Sequence, residues 1–234
     1  MNTWRIAAAL TLLASIGIAT HYAKEVYVAR RDTPALVGLA WQRYGHGIAL
    51  SDLSKNEKLL LIAVEDPAFY RHHGVDLNTP GAGMTTITQA LVKLLYFPGG
   101  FNKGVAKIRQ TLIARYALDP LIPKNEQLEL LLNVAYLGSQ DGQAIRGFET
   151  AASAYFNKPF KALSETEFQS LVAMLVAPDR LIPGTPDHAQ RMRRIDDYLT
   201  GKYQPTGVLD VEYDGNNQQS VGQRGLMAFL RLIT

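Results

Sequence analysis

The sequence predicts a mainly helical domain that follows one N-terminal membrane helix. Three observations lead to this prediction. Residues 6–22 form an apolar stretch close to the roughly 17 to 25 residues that span a bilayer. Several later segments repeat apolar residues at helical spacing, and few segments alternate as strands do. With 47% hydrophobic and 19% charged residues, the chain has the composition of a globular protein with a sizeable core.

Length and composition exclude several classes of protein. A chain of 234 residues fits one domain. The sequence has no cysteine, which excludes disulfides, thiolate metal sites and cysteine nucleophiles. The net charge of +3 is scattered, with a local run at Arg191, Arg193 and Arg194 that slightly favours an anionic lipid or phosphate partner. No basic stripe interleaved with aromatic residues appears, so nucleic acid is not predicted as a partner.

The N-terminal residues 1–24 are predicted to be a signal-anchor, or transmembrane segment. Arg5 precedes the apolar stretch, and Lys24, Arg30 and Arg31 follow it. A cleavable secretory signal and an uncleaved anchor both predict export. We favour the anchor because no clean small-x-small cleavage site precedes a polar start. Residues 25–50 are then predicted to be a juxtamembrane segment.

The first helix of the domain is predicted to end at an acidic pair. From Glu57 onward, apolar residues recur at helical spacing up to Val64, which puts Glu65 at the end of an apolar helix. The residue before a proline avoids helical angles, so the chain must stop or bend at Asp66 and Pro67.

The remaining predicted helices follow a turn over residues 78–83. A helix capped by threonines is predicted over residues 85–96, and helical patterns resume over 105–117, 125–137, 147–156 and 166–177. Between them, the glycine-rich and aromatic loop 97–104 is either a plain surface loop or a membrane-dipping lip over a cleft.

Four ordered motifs resemble those of the family 51 glycosyltransferases, the peptidoglycan transglycosylases found alone or joined to penicillin-binding domains. Residues 65–74, EDPAFYRHHG, fill every fixed place of E-D-x-x-F-x-x-H-x-G, and residues 83–93, GMTTITQALVK, are similar to G-G-S-T-I-T-Q-Q-L-x-K. The third and fourth are KNEQLELLLNVAYLG (124–138) and GFETAASAYFNKPFKALSETE (147–167).

The resemblance implies a fold, a reaction and a location. It implies a lysozyme-like transglycosylase domain over residues 51–200, with 201–234 as a C-terminal extension. The implied reaction is polymerisation of lipid II by inverting glycosyl transfer with release of undecaprenyl pyrophosphate. The implied partners are lipid II, the growing glycan strand, membrane lipid and a cell-wall synthesis complex. The implied location is the inner membrane, with a single pass and the catalytic domain on the periplasmic side.

The implied reaction needs a base on the incoming hydroxyl and positive charge for the departing pyrophosphate. Glu65 is the candidate base, because desolvation at the end of an apolar helix raises the pKa of a carboxyl group. Asp66 is the second catalytic candidate, as a group that orients or pairs with a cation; a structural capping role is the alternative.

The other candidate residues bind substrate or support the site. The substrate-binding candidates are Thr86, Gln89, Lys93, Lys107, Arg109, Gln110 and Arg115. Lys107 and Arg115 are the stronger cationic candidates, since Lys107 falls on a matching family position and Arg115 lies two turns further along. Structural support is predicted for Phe69, His72, Gly74, Lys124 and Asn133, with Asn133 in a buried amide network.

The chain departs from the family pattern at Ala90, Ala106 and Gln110, where the family has glutamine, arginine and glutamate. An amide binds a hard cation less well than a carboxylate does. No protein metal site is therefore predicted, and a divalent cation, Mg²⁺ or Mn²⁺, stays open as a cofactor. These departures leave two rival functions: a scaffold that binds lipid II or glycan without turnover, and a lytic glycan-cleaving enzyme of similar fold that uses Glu65 as its acid.

Overall fold

The computed structural model describes residues 3–102 and 104–234, and these residues are mainly helical. The α-helices are α1 (Thr3–Tyr44), α2 (Lys55–Glu65), α3 (Ile87–Tyr96), α4 (Val105–Ile113), α5 (Asp119–Leu121), α6 (Lys124–Val134), α7 (Phe148–Phe156), α8 (Glu165–Met174), α9 (Pro186–Leu199) and α10 (Val221–Ile233). A π-helical turn, Ala114–Leu118, joins α4 to α5, and single 3-10 turns cover Leu50–Asp52 and Phe160–Ala162. The strands β1 (Tyr136–Gln140) and β2 (Gln143–Arg146) form one antiparallel hairpin.

The first helix joins the apolar N-terminal segment to the domain without a break. Its 42 residues extend about 63 Å at the usual rise per residue. The apolar N-terminal part is exposed and is long enough to cross a membrane. Further along, Ala29, Thr33, Val37 and Ala40 recur on one face and are buried against the domain. One continuous helix thus covers both the predicted anchor and most of the predicted juxtamembrane segment.

The core is built around α6, which is buried along almost its whole length from Gln127 to Val134. Helix α3 packs against α6, while α2 packs on α8 and α8 on α9. Phe148, Phe160 and Phe168 form an aromatic cluster with ring centroids 5.8 to 6.4 Å apart. This packing places the end of α2 and the start of α3 side by side.

The hairpin differs from the sequence prediction, which continued a helix to Leu137. Helix α6 ends at Val134, and Gly138 has a φ of +95° that a helix does not accommodate. The strands turn at Asp141 and Gly142, which both have positive φ, as a type I′ hairpin turn requires.

The C-terminal residues return to the domain. After α9, residues 201–216 run as irregular chain past the end of α2. Helix α10 then packs on the domain through Met227 and Leu230, while Val221, Phe229 and Leu232 are exposed.

Candidate active site

A cavity of about 440 Å³ opens where α2, α3 and α6 meet. Glu65 lines it from α2, and the segment 81–87 lines it from the turn before α3. The other residues that line it include Lys93, Tyr136, Arg191 and Val211. These groups combine one carboxylate with two cationic side chains.

Glu65 lies at the last position of α2. Ser54 and Glu57 form a capping box that starts this helix, and Leu61 and Val64 bury its inner face. The helix ends because Asp66 leaves helical geometry just before Pro67. Burial in these surroundings raises the pKa of Glu65 to about 7, with a smaller contribution from the charge of Asp66, while the positive charge of Arg191 opposes the rise. Glu65 can therefore hold or release a proton near neutral pH.

Asp66 joins the end of α2 to the start of α3. Its carboxylate is fully buried, lies 2.9 Å from Nε2 of His72 and accepts the backbone N–H of Ile87 at 3.0 Å. The Phe69 ring packs edge-on against His72, with centroids 6.2 Å apart. Asp66 does not line the cavity, and its contacts hold the first motif against the second.

The second motif forms the start of α3. The Thr86 hydroxyl accepts the backbone N–H of Gln89 at 3.1 Å, and the Gln89 side chain accepts the N–H of Thr86 at 3.0 Å. The Gln89 amide also donates to the Thr111 hydroxyl at 2.9 Å, inside the domain. Thr86 lines the cavity, whereas Gln89 is buried and does not line it.

Two lysines lie at or directly behind the cavity wall. Lys93 is exposed on α3 and lines the cavity. Lys107 is buried, and its ammonium group donates to the carbonyl of Met84 at 2.5 Å and to the hydroxyl of Thr85 at 3.0 Å. Burial, with a smaller contribution from the charge of Lys93, lowers the pKa of Lys107 to about 7. Lys107 thus supports the segment that forms the cavity wall.

Three other substrate-binding candidates lie away from the cavity. Arg109 forms an ion pair with Glu25 of α1 at 2.6 Å. Arg115 donates to the backbone carbonyls of His73 and Thr234. Gln110 is buried, and its amide donates to the carbonyl of Gln89 at 2.6 Å. The structure does not bring these side chains to Glu65.

The remaining predicted support residues contact the protein interior. Gly74 has a φ of +81°, and a Cβ there would lie 2.5 Å from the carbonyl oxygen of Ala114. Lys124 forms an ion pair with Asp119 at 2.7 Å and lies 4.5 Å from the centroid of the Phe69 ring.

Asn133 connects α6 to the chain before α2. Its side-chain oxygen accepts the N–H of Ile48 at 3.0 Å, and its amide donates to the carbonyls of Ile48 and Glu129 at 2.8 Å. Because α6 also lines the cavity, these bonds anchor part of the cavity wall.

A group formed by Arg191, Tyr198 and Tyr213 was not predicted from the sequence. Arg191 is only 2% exposed, and its guanidinium lies 4.7 Å from the Tyr213 ring centroid. Tyr213 stacks on Tyr198 at 4.4 Å. The arginine run was the one available indication, and it was interpreted only as a weak preference for anionic partners.

The described residues do not fit a protein-held divalent cation. Within residues 3–102 and 104–234, no group of three or more His, Asp or Glu side chains is positioned to hold a metal ion. Glu65 is the only carboxylate among the residues that line the cavity. A cage made of protein ligands alone needs several such groups, whereas Mg²⁺ is usually held by one or two carboxylates together with substrate phosphates.

Comparison with known proteins identifies the family. A transglycosylase family model matches residues 37–201. The biosynthetic peptidoglycan transglycosylase of Shewanella frigidimarina is 33% identical over 162 residues, which cover 63% of this chain and 69% of that protein. A putative transglycosylase of Cupriavidus necator is 26% identical over 226 residues, covering 91% of this chain and 94% of its own length.

The chain is also similar to a part of larger proteins. Penicillin-binding protein 1B of Buchnera aphidicola is 31% identical over 147 residues, or 57% of this chain and 19% of that protein. For penicillin-binding protein 1F of Bacillus subtilis the match covers 24% of the relative. The family match, which extends over most of the domain and includes Glu65 and every residue of the cavity wall except Val211, shows that this chain belongs to the transglycosylase family.

Proposed function

We propose that this chain is a peptidoglycan glycosyltransferase that polymerises lipid II by inverting glycosyl transfer. The observation that carries the proposal is the position of Glu65. It is the one carboxylate of the cavity wall, its pKa is raised to about 7, and Lys93 and Arg191 line the same cavity. The family supports the same reaction class, and so do the names of two relatives, a biosynthetic peptidoglycan transglycosylase and a putative transglycosylase.

In the proposed reaction, Glu65 accepts the proton of the incoming sugar hydroxyl. The hydroxyl oxygen forms a bond to the anomeric carbon of the lipid-linked sugar. The bond from that carbon to the pyrophosphate oxygen breaks, and the electron pair leaves with undecaprenyl pyrophosphate. A carboxyl group with a pKa near neutral is suited to this task, because it is ionised often enough to accept a proton and basic enough to keep it.

The positive charge for the leaving group comes from the other side of the cavity. Lys93 projects from α3 and lines the cavity. Lys107 holds the backbone at Met84 and Thr85 beneath this wall. We place the growing pyrophosphate charge on this side, opposite Glu65.

The membrane helix fits a substrate that is itself a lipid. We propose that α1 crosses the inner membrane once and holds the domain on the periplasmic side. Because residues 29–40 of the same helix pack into the domain, the cavity is held at a fixed height above the bilayer. Lipid II and the glycan strand then reach the cavity from the membrane surface.

The products formed from lipid II test this proposal. We expect the full chain, reconstituted in detergent or vesicles, to convert lipid II into a ladder of glycan polymers on a gel. Tight binding of lipid II without polymer would instead support the scaffold function. Shortening of preformed glycan strands, without growth from lipid II, would support the lytic function.

A further inference from the structure

We propose that residues 201–216 are part of the active site, and that Tyr213, with Tyr198 and Arg191, positions the catalytic carboxylate Glu65. Apart from Gly201, the segment lies outside residues 37–201, which the family model matches. This inference rests on the proposed function, because its kinetic test measures polymerisation of lipid II. A titration that needs no turnover tests it independently.

The segment is fastened to the wall of the cavity. The backbone N–H groups of Gly81 and Gly83 donate to the carbonyls of Gly207 and Val208, at 2.9 and 2.7 Å. Val211 then lines the cavity and lies against Gly83, where an added Cβ would meet its side chain at 2.8 Å. The turn before α3 is therefore held from outside by the C-terminal segment.

A buried carboxylate keeps the segment in this shape. Asp210 is fully buried and accepts the backbone N–H groups of Thr206, Asp214 and Gly215 at 2.9 to 3.1 Å. It also accepts the hydroxyl of Tyr203. Because hydrogen bonds from both ends of the segment converge on one side chain, the residues between them are ordered next to α2.

Two tyrosines bind the last turn of α2, which carries Glu65. The final carbonyls of a helix have no partner within it. The carbonyl of Ala63 accepts the Tyr198 hydroxyl at 3.3 Å, and that of Val64 accepts the Tyr213 hydroxyl at 3.2 Å. Their stacked rings thus fix the backbone on which Glu65 is mounted.

Tyr213 also positions Arg191. The Arg191 guanidinium lies 4.7 Å from the Tyr213 ring centroid and donates to the carbonyl of Val211 at 2.8 Å. Its charge acts on Glu65 against the effect of burial. The other charged or titratable groups near Glu65 are Asp66, Tyr213 and, across the cavity, Lys93. Arg191 is thus the cation that keeps Glu65 able to ionise.

The kinetic test compares two tyrosines that each donate to a backbone carbonyl. We expect Tyr213→Phe to lower kcat by about tenfold with KM unchanged, because the reacting groups lose alignment. Tyr155 donates to the carbonyl of Leu137 at 2.8 Å and does not line the cavity, so Tyr155→Phe should leave both constants within about twofold. Equal effects of the two variants on kcat would overturn the positioning role of Tyr213.

The titration test uses the full chain with ¹³C-labelled glutamate carboxyl groups, and Glu65→Gln identifies the Glu65 resonance. Arg191→Met should raise the pKa of Glu65 by about one unit, and Arg191→Lys should keep it near the parental value. Arg193→Met, at an exposed position on the same helix, should leave it unchanged. If the parent makes no polymer, the proposed function fails while this titration still decides the inference. An unchanged pKa of Glu65 in Arg191→Met would overturn the inference.

Discussion

At the scale of single residues, the surroundings of Glu65 raise its pKa at the expense of stability. Its pKa is raised from the usual 4.5 to about 7 in the folded protein. Between these two values the unfolded chain has released this proton and the folded chain has kept it. Folding stability from this group is therefore present below about pH 4.5 and is lost as the pH rises through about 7.

Glu65→Gln should therefore stabilise the protein at alkaline pH. The amide carries no charge to desolvate, so the variant should melt at a higher temperature than the parent at about pH 8. The gain should disappear at about pH 3, where the parental carboxyl is protonated in both states. Melting curves at the two pH values check this, and a gain of equal size at both would contradict the pKa that we assign to Glu65.

Gln110→Glu should destabilise the fold instead of restoring a leaving-group site. Gln110 is buried, and its amide N–H donates to the carbonyl of Gln89. A carboxylate would face that carbonyl oxygen without a donor, at a cost of about 1 to 3 kcal/mol. Urea unfolding measures the loss, which should be larger at neutral pH than at acid pH, where a protonated Glu can donate. A variant that is as stable as the parent and polymerises faster would contradict this.

The position of Glu65 at the end of a helix could be predicted from the sequence, but the side chains that surround it could not. Glu65 was predictable because one motif places a carboxylate at the end of an apolar helix. Arg191 was not, because a run of arginines on a helix usually faces solvent, and only the fold buries this one against Tyr213. Arg109 and Arg115 were predicted to bind substrate, because the sequence does not show that their side chains have partners within the protein. Their partners, Glu25 and the carbonyls of His73 and Thr234, are distant in sequence or outside any motif.

At the scale of secondary-structure elements, the first motif depends on a glycine. Gly74 has a φ of +81°, and an added Cβ would lie 2.5 Å from the carbonyl oxygen of Ala114, at the π turn after α4. Gly142, in the hairpin turn, has a φ of +76° but open space around it. The two glycines share the same backbone conformation, but an added Cβ would clash with the protein only at Gly74.

Gly74→Ala should therefore cost more stability than Gly142→Ala. The strained backbone alone costs about 1 kcal/mol at Gly142, and the clash should bring the loss at Gly74 to about 3 kcal/mol. Denaturant unfolding of both variants measures the difference. Equal losses would show that the loop at Gly74 moves away from Ala114 at no cost.

Elements with a strong local sequence pattern, such as α3, were predicted well. The hairpin and the full length of α1 were missed, because their local patterns are weaker. Thr86 caps α3 as its position before an apolar run indicates. The hairpin was missed because its strands are short and adjoin a helical pattern, although the Asp141-Gly142 pair is a typical hairpin turn. The length of α1 was missed because the apolar stretch ends at residue 22 and basic residues follow it. Packing of Ala29, Thr33, Val37 and Ala40 on the domain stabilises helix across that region.

At the scale of the whole molecule, α1 has two separable roles. No described residue in the apolar window of its N-terminal part is buried, while the face from Ala29 to Ala40 forms part of the core. Glu25 and Arg30 add polar contacts to Arg109 and to the carbonyl of Tyr116. The anchor and the domain therefore separate near residue 24 and not at the end of the helix.

Two truncations should separate these roles. A chain without residues 1–24 should fold and show weaker activity on lipid II in vesicles, because it loses its concentration at the membrane. A chain without residues 1–44 should unfold or aggregate, because core side chains of α3 and α6 become exposed. Circular dichroism and melting curves compare the two. A stable, folded chain lacking residues 1–44 would show that the second half of α1 is dispensable to the core.

The most direct test of the central claim, that Glu65 is the base for glycan polymerisation, is the polymerisation rate of Glu65→Gln beside a matched control. Glu126, in the first turn of α6, is absent from the cavity wall, and Glu126→Gln makes the same chemical change there. We expect the full chain and Glu126→Gln to form polymer from lipid II at similar rates, with an acid limb near pH 7 set by Glu65. Glu65→Gln should be folded and form none. Polymer formation by Glu65→Gln at the parental rate would contradict the assignment.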